Sequence, residues 1–467
     1  MSRALNLRGS IRALVAAAAF VGWGVTPGAA ADLGSDCCAD LEERIAELEA
    51  TTARKGNRKV SLTVGGQVNE ALFWWDDGSE DNAYISTNDS ARTRFNFKGD
   101  AKISSDLKAG YLIEVGIRAG RSNRWTQDDD SGVTQLLDIR HSYWFLDSKS
   151  YGRLSVGLTS DASDGITEIN QAATKDIAKF SDVEDTGLGL FANDSDGNRL
   201  GTFQWRRLIR DVGNQPGEGR RSNLVRYDTP ELAGFTGTAS WGEDDFWTVA
   251  LKYKGDFSGL QVAAGIAYGE ASESNVSAPA ELGGATIART IGFECVVNGQ
   301  VGGNNIGTAS KDADCEQLGG SISVLHTDTG LYLNAGAGYL KDNLTNNLGD
   351  GGAPLAGFGG LEDLHYFYAF EAGIEKKWNS LGKTTLFAQY HRNEGGATAR
   401  SLGTGNGRVL SSELDVYSIG AIQGIDAAAL HLYLFYRHHE GEIESTTRDD
   451  IELDDVDVVV GGALIKF

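Results

Sequence analysis

The residues of this sequence that could do chemistry are charged rather than nucleophilic. The long polar connection from Thr159 to Arg221 carries Asp161, Asp164, Glu168, Asp176, Asp182, Glu184 and Asp185 in its first half. Upstream, Arg92, Arg94 and Lys98 occupy alternate positions, and Arg140 and Arg153 lie in two later runs. Opposed across a water-filled gap, such groups make a field that sorts solutes by charge and dipole. They also suit local pairing or a solvated surface, and spacing alone leaves both readings open. Catalytic patterns are lacking: there is no G-x-S-x-G elbow, Walker lysine or H-E-x-x-H motif. Gly187 to Ala192 (GLGLFA) imitates a dinucleotide fingerprint, but it follows no strand and opens no βαβ unit. His141 beside Ser142 cannot form a catalytic pair, because successive strand residues point to opposite faces. His141 and His438 are expected on the outer face, His391 and His431 on the inner one. DSDGN at Asp194 to Asn198 lacks the sixth-position Gly and twelfth-position Glu of a calcium loop. The reading is therefore not an enzyme, with no cofactor and no metal.

The elements that hold these groups are strands. Arg92, Arg94, Asn96, Lys98, Asp100 and Lys102 alternate with Thr93, Phe95, Phe97, Gly99, Ala101 and Ile103, the period of 2 that marks a strand with two unlike faces. Ala109, Tyr111, Ile113, Val115 and Ile117 share one face of the next run, and Leu430, Leu432, Leu434 and Tyr436 one face of a late one. Before Lys59 the pattern differs. Arg3, Arg8 and Arg12, the apolar stretch Ala13 to Val25 and Ala29-Ala30-Ala31 read as a signal peptide over residues 1–31. Its removal takes the formal charge from −23 to −26. Residues 32–57 read as a periplasmic segment with a short amphipathic helix, Asp40 to Thr51, on which Leu41, Ile45 and Leu48 share a face. Residues 58–467 hold the strands. Export permits oxidised thiols, so Cys295 and Cys315 are expected to form a disulfide, free thiols being the alternative. Cys37-Cys38 stays open between vicinal, intermolecular and free states.

Ala13 to Val25 is too short for a bilayer helix, which needs roughly 20 apolar residues, so a helical membrane protein is excluded. Acidity (pI near 4.7) argues against nucleic acid, which takes a basic footprint. A soluble sandwich and a membrane barrel both fit alternating strands, and three features favour the barrel. The strands run to about 9–12 residues, the length of a tilted bilayer crossing. Short connections (Ser104 to Asp106, Ser148 to Tyr151, Gly255 to Gly259, Asn379 to Gly382) alternate with long ones. The long ones are Asp76 to Ser90, Thr159 to Arg221, Glu270 to Gln317, Asp342 to His365 and Asn393 to Ser412. Aromatics gather near strand ends, as at Phe73-Trp74-Trp75, Tyr143-Trp144-Phe145 and Tyr366-Phe367-Tyr368, where an interfacial girdle belongs. The final alternating run ends at Phe467, which resembles an outer-membrane insertion signal. The fold expected is an all-β transmembrane antiparallel barrel of about 16 strands.

Asp36 to Gly78 (DCCADLEERIAELEATTARKGNRKVSLTVGGQVNEALFWWDDG) resembles the N-terminal signature of the general-diffusion porins of rhizobia and brucellae. The likeness continues through Ala91 to Val115 and the terminal strand. It implies a trimeric 16-stranded barrel in the outer membrane, passing small hydrophilic solutes and ions passively. It also implies a third outer loop folded inward as a constriction, and by strand count Thr159 to Arg221 is that loop. Its acids would then face pore-lining Arg92, Arg94, Lys98, Arg140 and Arg153. Lipid and lipopolysaccharide are the expected surroundings, with divalent cations bridging to Asp76–Asp89 and Glu440–Asp457 one possibility. A solute-specific channel is the closest competing reading, and a surface-anchoring or adhesion barrel a more distant one.

Overall fold

The computed structural model describes residues 59–133, 136–209, 215–242, 245–273, 279–282, 285–288, 300–301, 304–305, 312–343, 362–398, 402, 407, 409–448 and 450–467. The expected signal peptide, N-terminal helix and Cys295 lie outside them. Sixteen antiparallel strands close a barrel. They are β1 (Thr63–Asp76), β2 in two segments (Asp81–Thr87 and Arg94–Lys102), β3 (Leu107–Ile117), β4 (Leu137–Ser148), β5 (Gly152–Ser160) and β6 (Arg221–Asp228). There follow β7 (Phe235–Gly242), β8 (Phe246–Phe257), β9 (Leu260–Glu273), β10 (Asp312–His326) and β11 (Leu331–Asp342). The last five are β12 (Leu364–Lys376), β13 (Thr384–Glu394), β14 (Val409–Ile425), β15 (Leu430–Ser445) and β16 (Val456–Lys466). Each strand pairs with the next, and β16 returns to β1 in the register Gln67↔Lys466 through Asp76↔Asp457. Closure leaves no edge, so a β-structure can sit in hydrocarbon without unpaired backbone groups. Val64–Phe467 is one compact unit.

Alternation puts one face of each strand inside. On β15, Tyr433, Phe435, Arg437 and His439 are buried within the barrel, while Leu432 on the other face is 45% exposed. Three expectations change here. First, β1 and β2 are joined by a tight turn at Asp77 to Glu80 rather than by a long loop to Ser90. The Asp77 carboxylate accepts from the amides of Ser79 and Glu80, and Gly78 takes φ +83, which favours a residue without Cβ. Second, the clustered aromatics divide between the two faces. Trp144 faces outward, but Phe73, Trp75 and Phe367 are at most 1% exposed inside the barrel. Third, a bulge between Glu114 and Val115 lets Arg140 and His141 both turn inward, since Glu114 pairs with His141 and Val115 with Ile139. His141 therefore leaves the outer face assigned to it by simple alternation.

The inner apolar face does not line water. The described residues of the connection after β5, 161–209 and 215–220, fold into the barrel and follow its wall. Ala162 donates to Ser240 of β7 and Thr248 of β8, Ile169 to Ser321 of β10, and Ala173 to Glu375 of β12. The loop then reaches β13 and β15 and passes Val458 of β16 at Gly187. Its second half buries Leu188, Leu190, Leu200, Phe203, Trp205, Leu208 and Ile209 against Phe73, Trp75, Trp125, Val456 and Val458. This core anchors the loop, because each large side chain removed from water contributes about 1.5–3 kcal/mol. The return leg presses on the wall at Gly319 and Gly338, where a Cβ would meet the backbone of Gly217 and Pro216.

Candidate functional site

The loop does not fill the whole barrel. Between its first half and the wall of β2 to β4 lies a cavity of about 240 Å³. The wall contributes Arg94 from β2 and Arg140 from β4, with Asp89, Ser90, Ala91 and Arg92 from the break in β2. That break makes the site. Asn88 caps a short helical turn, Asp89–Ala91, by accepting from the Ser90 amide, so the chain leaves the sheet and turns inward. Arg92 thus sits at the end of this turn and not in the strand its spacing suggested. The loop contributes Asp164, Glu168, Lys175, Asp176, Lys179, Asp182, Glu184 and Asp185, and Arg221 closes the ring.

Of the twelve groups named from sequence, Arg92, Arg94, Arg140, Asp164, Glu168, Asp176, Asp182, Glu184 and Asp185 border this space, and three do not. Lys98 lies farther down β2 toward the short turns. Arg153, at the short-turn end of β5, lies over the Phe145 ring at 3.7 Å. Asp161 is fully buried and folds its own turn, accepting from the amides of Ser163 and Asp164. Lys175, Lys179 and Asp89 were not singled out in the sequence, and Arg221 entered only as the end of the long connection. Their charge was visible there, but their position depends on how the loop is laid.

Charges of both signs are partly paired, some on their own side and some between wall and loop. Arg140 bonds Glu114 at 2.8 Å, and Arg92 approaches Asp89 at 3.3 Å and Asp138 at 3.2 Å. Lys179 holds Glu168 at 2.8 Å and Asp182 at 3.0 Å, and Arg221 reaches Asp164 at 3.6 Å. At the short-turn end Lys466 ties down Asp176 at 2.6 Å. Burial pushes Glu168 up to about 7 against the pull of Lys179. Burial would also raise Asp164, yet Arg221 and the Ser160 hydroxyl hold it below the usual carboxylate range. The lining carries six basic and seven acidic side chains. Its net charge is therefore small, while the separation of sign between the arginine wall and the loop is retained. Such an arrangement orients dipoles and discriminates ions. Among the described residues no group of three or more His, Cys, Asp or Glu is arranged to hold a metal ion.

Residues 13–350 match the Gram-negative porin family. Among solved structures, the chain is similar to the anion-selective porin from Comamonas acidovorans at 15% identity, covering 87% of this chain and 100% of that one, with a TM-score of 0.49. The outer membrane channel DcaP of Acinetobacter baumannii shows 13% identity over 89% and 100%, with a TM-score of 0.48. OmpF of Salmonella typhi, in complex with daunomycin, shows 12% over 88% and 99%, with a TM-score of 0.47. No curated protein matches. The closed barrel with its inward loop and the match over most of the sequence agree: this chain belongs to the Gram-negative porin family, whose members are outer-membrane channels.

Proposed function

We propose that this porin admits small hydrophilic solutes and ions by passive diffusion, with the Arg92–Arg94–Arg140–Arg221 wall and the acids of residues 164–185 as its selective constriction. One observation carries the reading: a cavity of about 240 Å³ has Arg92, Arg94 and Arg140 on its wall side and the carboxylates of the folded-in loop on the other. Apolar solutes lose there, because buried charges must keep polar partners. The seven acids outnumber the six bases, which supports a modest cation preference. The reading includes no catalysis, and it includes a place among the porins of rhizobial and brucella type.

The working form in this reading is a homotrimer. Its support is Glu70, which shares the outer face of β1 with Val68 and Leu72 and accepts from the hydroxyls of Thr87 and Thr93. A carboxylate on that face is costly against lipid and suits a face covered by another copy. The reading further includes signal-peptide removal, a periplasmic segment at 32–57, contact with lipopolysaccharide and a Cys295–Cys315 disulfide. Burial of Cys315, which is 2% exposed, supports the last of these.

Liposome swelling with sugars of graded size tests the function. A smooth decline with solute size is expected. One fast solute among slow ones would replace this reading with a solute-specific channel, and no swelling would replace it with an anchoring barrel. The specific channel has an observation in its favour, since the apolar core of the loop packs on β14 to β16 inside the barrel.

A further inference from the structure

A row of polar side chains crosses the inner wall opposite the arginines. Ser323 of β10 pairs laterally with Asn334 of β11, Asn334 with Glu371 of β12, and Glu371 with Gln389 of β13. Gln389 pairs with Ser418 of β14, and Ser418 with Arg437 of β15. All six are buried, and the next position, Val458 of β16, is apolar. Buried polar groups are retained where they have partners, and here the loop supplies them. Gln171 donates its amide to Ser323 at 3.1 Å, and the Thr174 hydroxyl donates to Glu371 at 2.6 Å. Gln389 donates to the carbonyl of Ala178 at 2.7 Å. The row is a track along which residues 171–186 are laid, and it ends at Arg437.

Arg437 is the strongest grip on that track. Its guanidinium donates to the carbonyls of Lys179 at 2.5 Å and Val183 at 3.2 Å, and to Thr186 Oγ1 at 2.9 Å. On the wall side it donates to Ser418 Oγ at 3.1 Å and Gln389 Oε1 at 3.4 Å. Its three loop acceptors bracket Asp182, Glu184 and Asp185, the acids facing the arginine wall. A planar fork of five donors makes this set of bonds, and an ammonium with three donors cannot reproduce it. We infer that Arg437 is a positioning residue: it touches no solute but sets how far the acidic segment stands from the arginine wall, and through that distance the ion selectivity. The inference rests on the constriction proposed above.

The test measures K⁺/Cl⁻ permeability ratios at low salt for the wild-type trimer, R437Q, R437K, T186V and the double variant R92Q/R94Q. R437Q is expected to lower the ratio at least threefold and to broaden open-channel current noise. R437K should recover only part of the ratio, and T186V should shift it in the same direction by a smaller factor. Heat-modifiable mobility on gels reports barrel integrity separately. If R437Q assembles with an unchanged ratio, the inference is overturned. Should R437Q fail to assemble, T186V decides, and an unchanged ratio there overturns it equally. A shift in R92Q/R94Q with none in R437Q or T186V leaves the constriction standing and removes Arg437 from it. No shift in R92Q/R94Q removes the constriction reading and this inference with it.

Discussion

Replacing Arg92 and Arg94 by Gln removes two charges from the wall side of the constriction, and the size of the effect follows from its dimensions. A sphere of 240 Å³ has a radius of about 4 Å. Adding the radius of the lining atoms puts an ion at its centre about 6 Å from each guanidinium. At the dielectric constant of water one charge at that distance is worth about 0.7 kcal/mol, and a Debye length of about 10 Å at 0.1 M salt reduces it to about 0.4 kcal/mol. Two charges act, and they move cation and anion in opposite directions. The cation-over-anion preference therefore changes by about 1.5 kcal/mol, roughly tenfold. At 1 M salt, with a Debye length of about 3 Å, the same arithmetic leaves about twofold. Reversal potentials across a planar bilayer under a KCl gradient measure this directly. The double variant should become more cation-selective, strongly at 0.1 M and weakly at 1 M. An unchanged potential at low salt would remove these arginines from the ion path. A shift of equal size at both salts would refute the electrostatic argument, since only a change of loop geometry escapes screening.

Three further outcomes follow from named residues. Glu168 is pushed up to about 7 by burial, so the loop gains a proton between pH 8 and pH 6 and loses a negative charge. Cation preference should fall over that interval, and reversal potentials that move the other way on acidification would contradict the assignment. Trp125, with no exposed surface, packs on Phe73, Trp75 and Tyr84; Trp125→Ala should cost about 3–5 kcal/mol of stability, measured by urea unfolding in lipid vesicles. A loss below about 1 kcal/mol would show that this cluster does not hold the loops. Phe467 exchanges backbone hydrogen bonds with Gly66 at 3.0 and 2.9 Å, so its deletion loosens the closing seam. The outer-membrane yield of the shortened chain should drop, and normal yield would separate Phe467 from insertion.

What could be read from sequence followed from local rules, and what could not depended on distant ones. The alternation of Leu430 to Arg437 is a property of neighbours, and the strand faces it implied are those observed. The position of the third outer loop needed only counting, because each strand must reverse direction. Arg92 shows the first limit. Its spacing from Arg94 placed it in a strand, yet Asn88 caps a turn that breaks the sheet there, and the residue still reaches the same cavity by another route. His141 shows the second, since the extra residue Arg140 opposite Glu114 and Val115 breaks the alternation on β4 and leaves both Arg140 and His141 on the inner face, and no residue type in that stretch announces a bulge. The loop shows the third. Its acids were conspicuous, but Lys179 among them is held by Glu168 and Asp182, and Arg437, which holds the loop in place, is 251 to 258 residues away from the atoms it binds. In the sequence Arg437 is one inward-facing residue of an alternating strand like several others. Only the path of the loop distinguishes it, and that path is set by an apolar core enclosed in the barrel, a feature that a water-filled cylinder gives no reason to expect. Composition could not reveal this core, because a side chain buried against the loop and one facing lipid are apolar for the same reason.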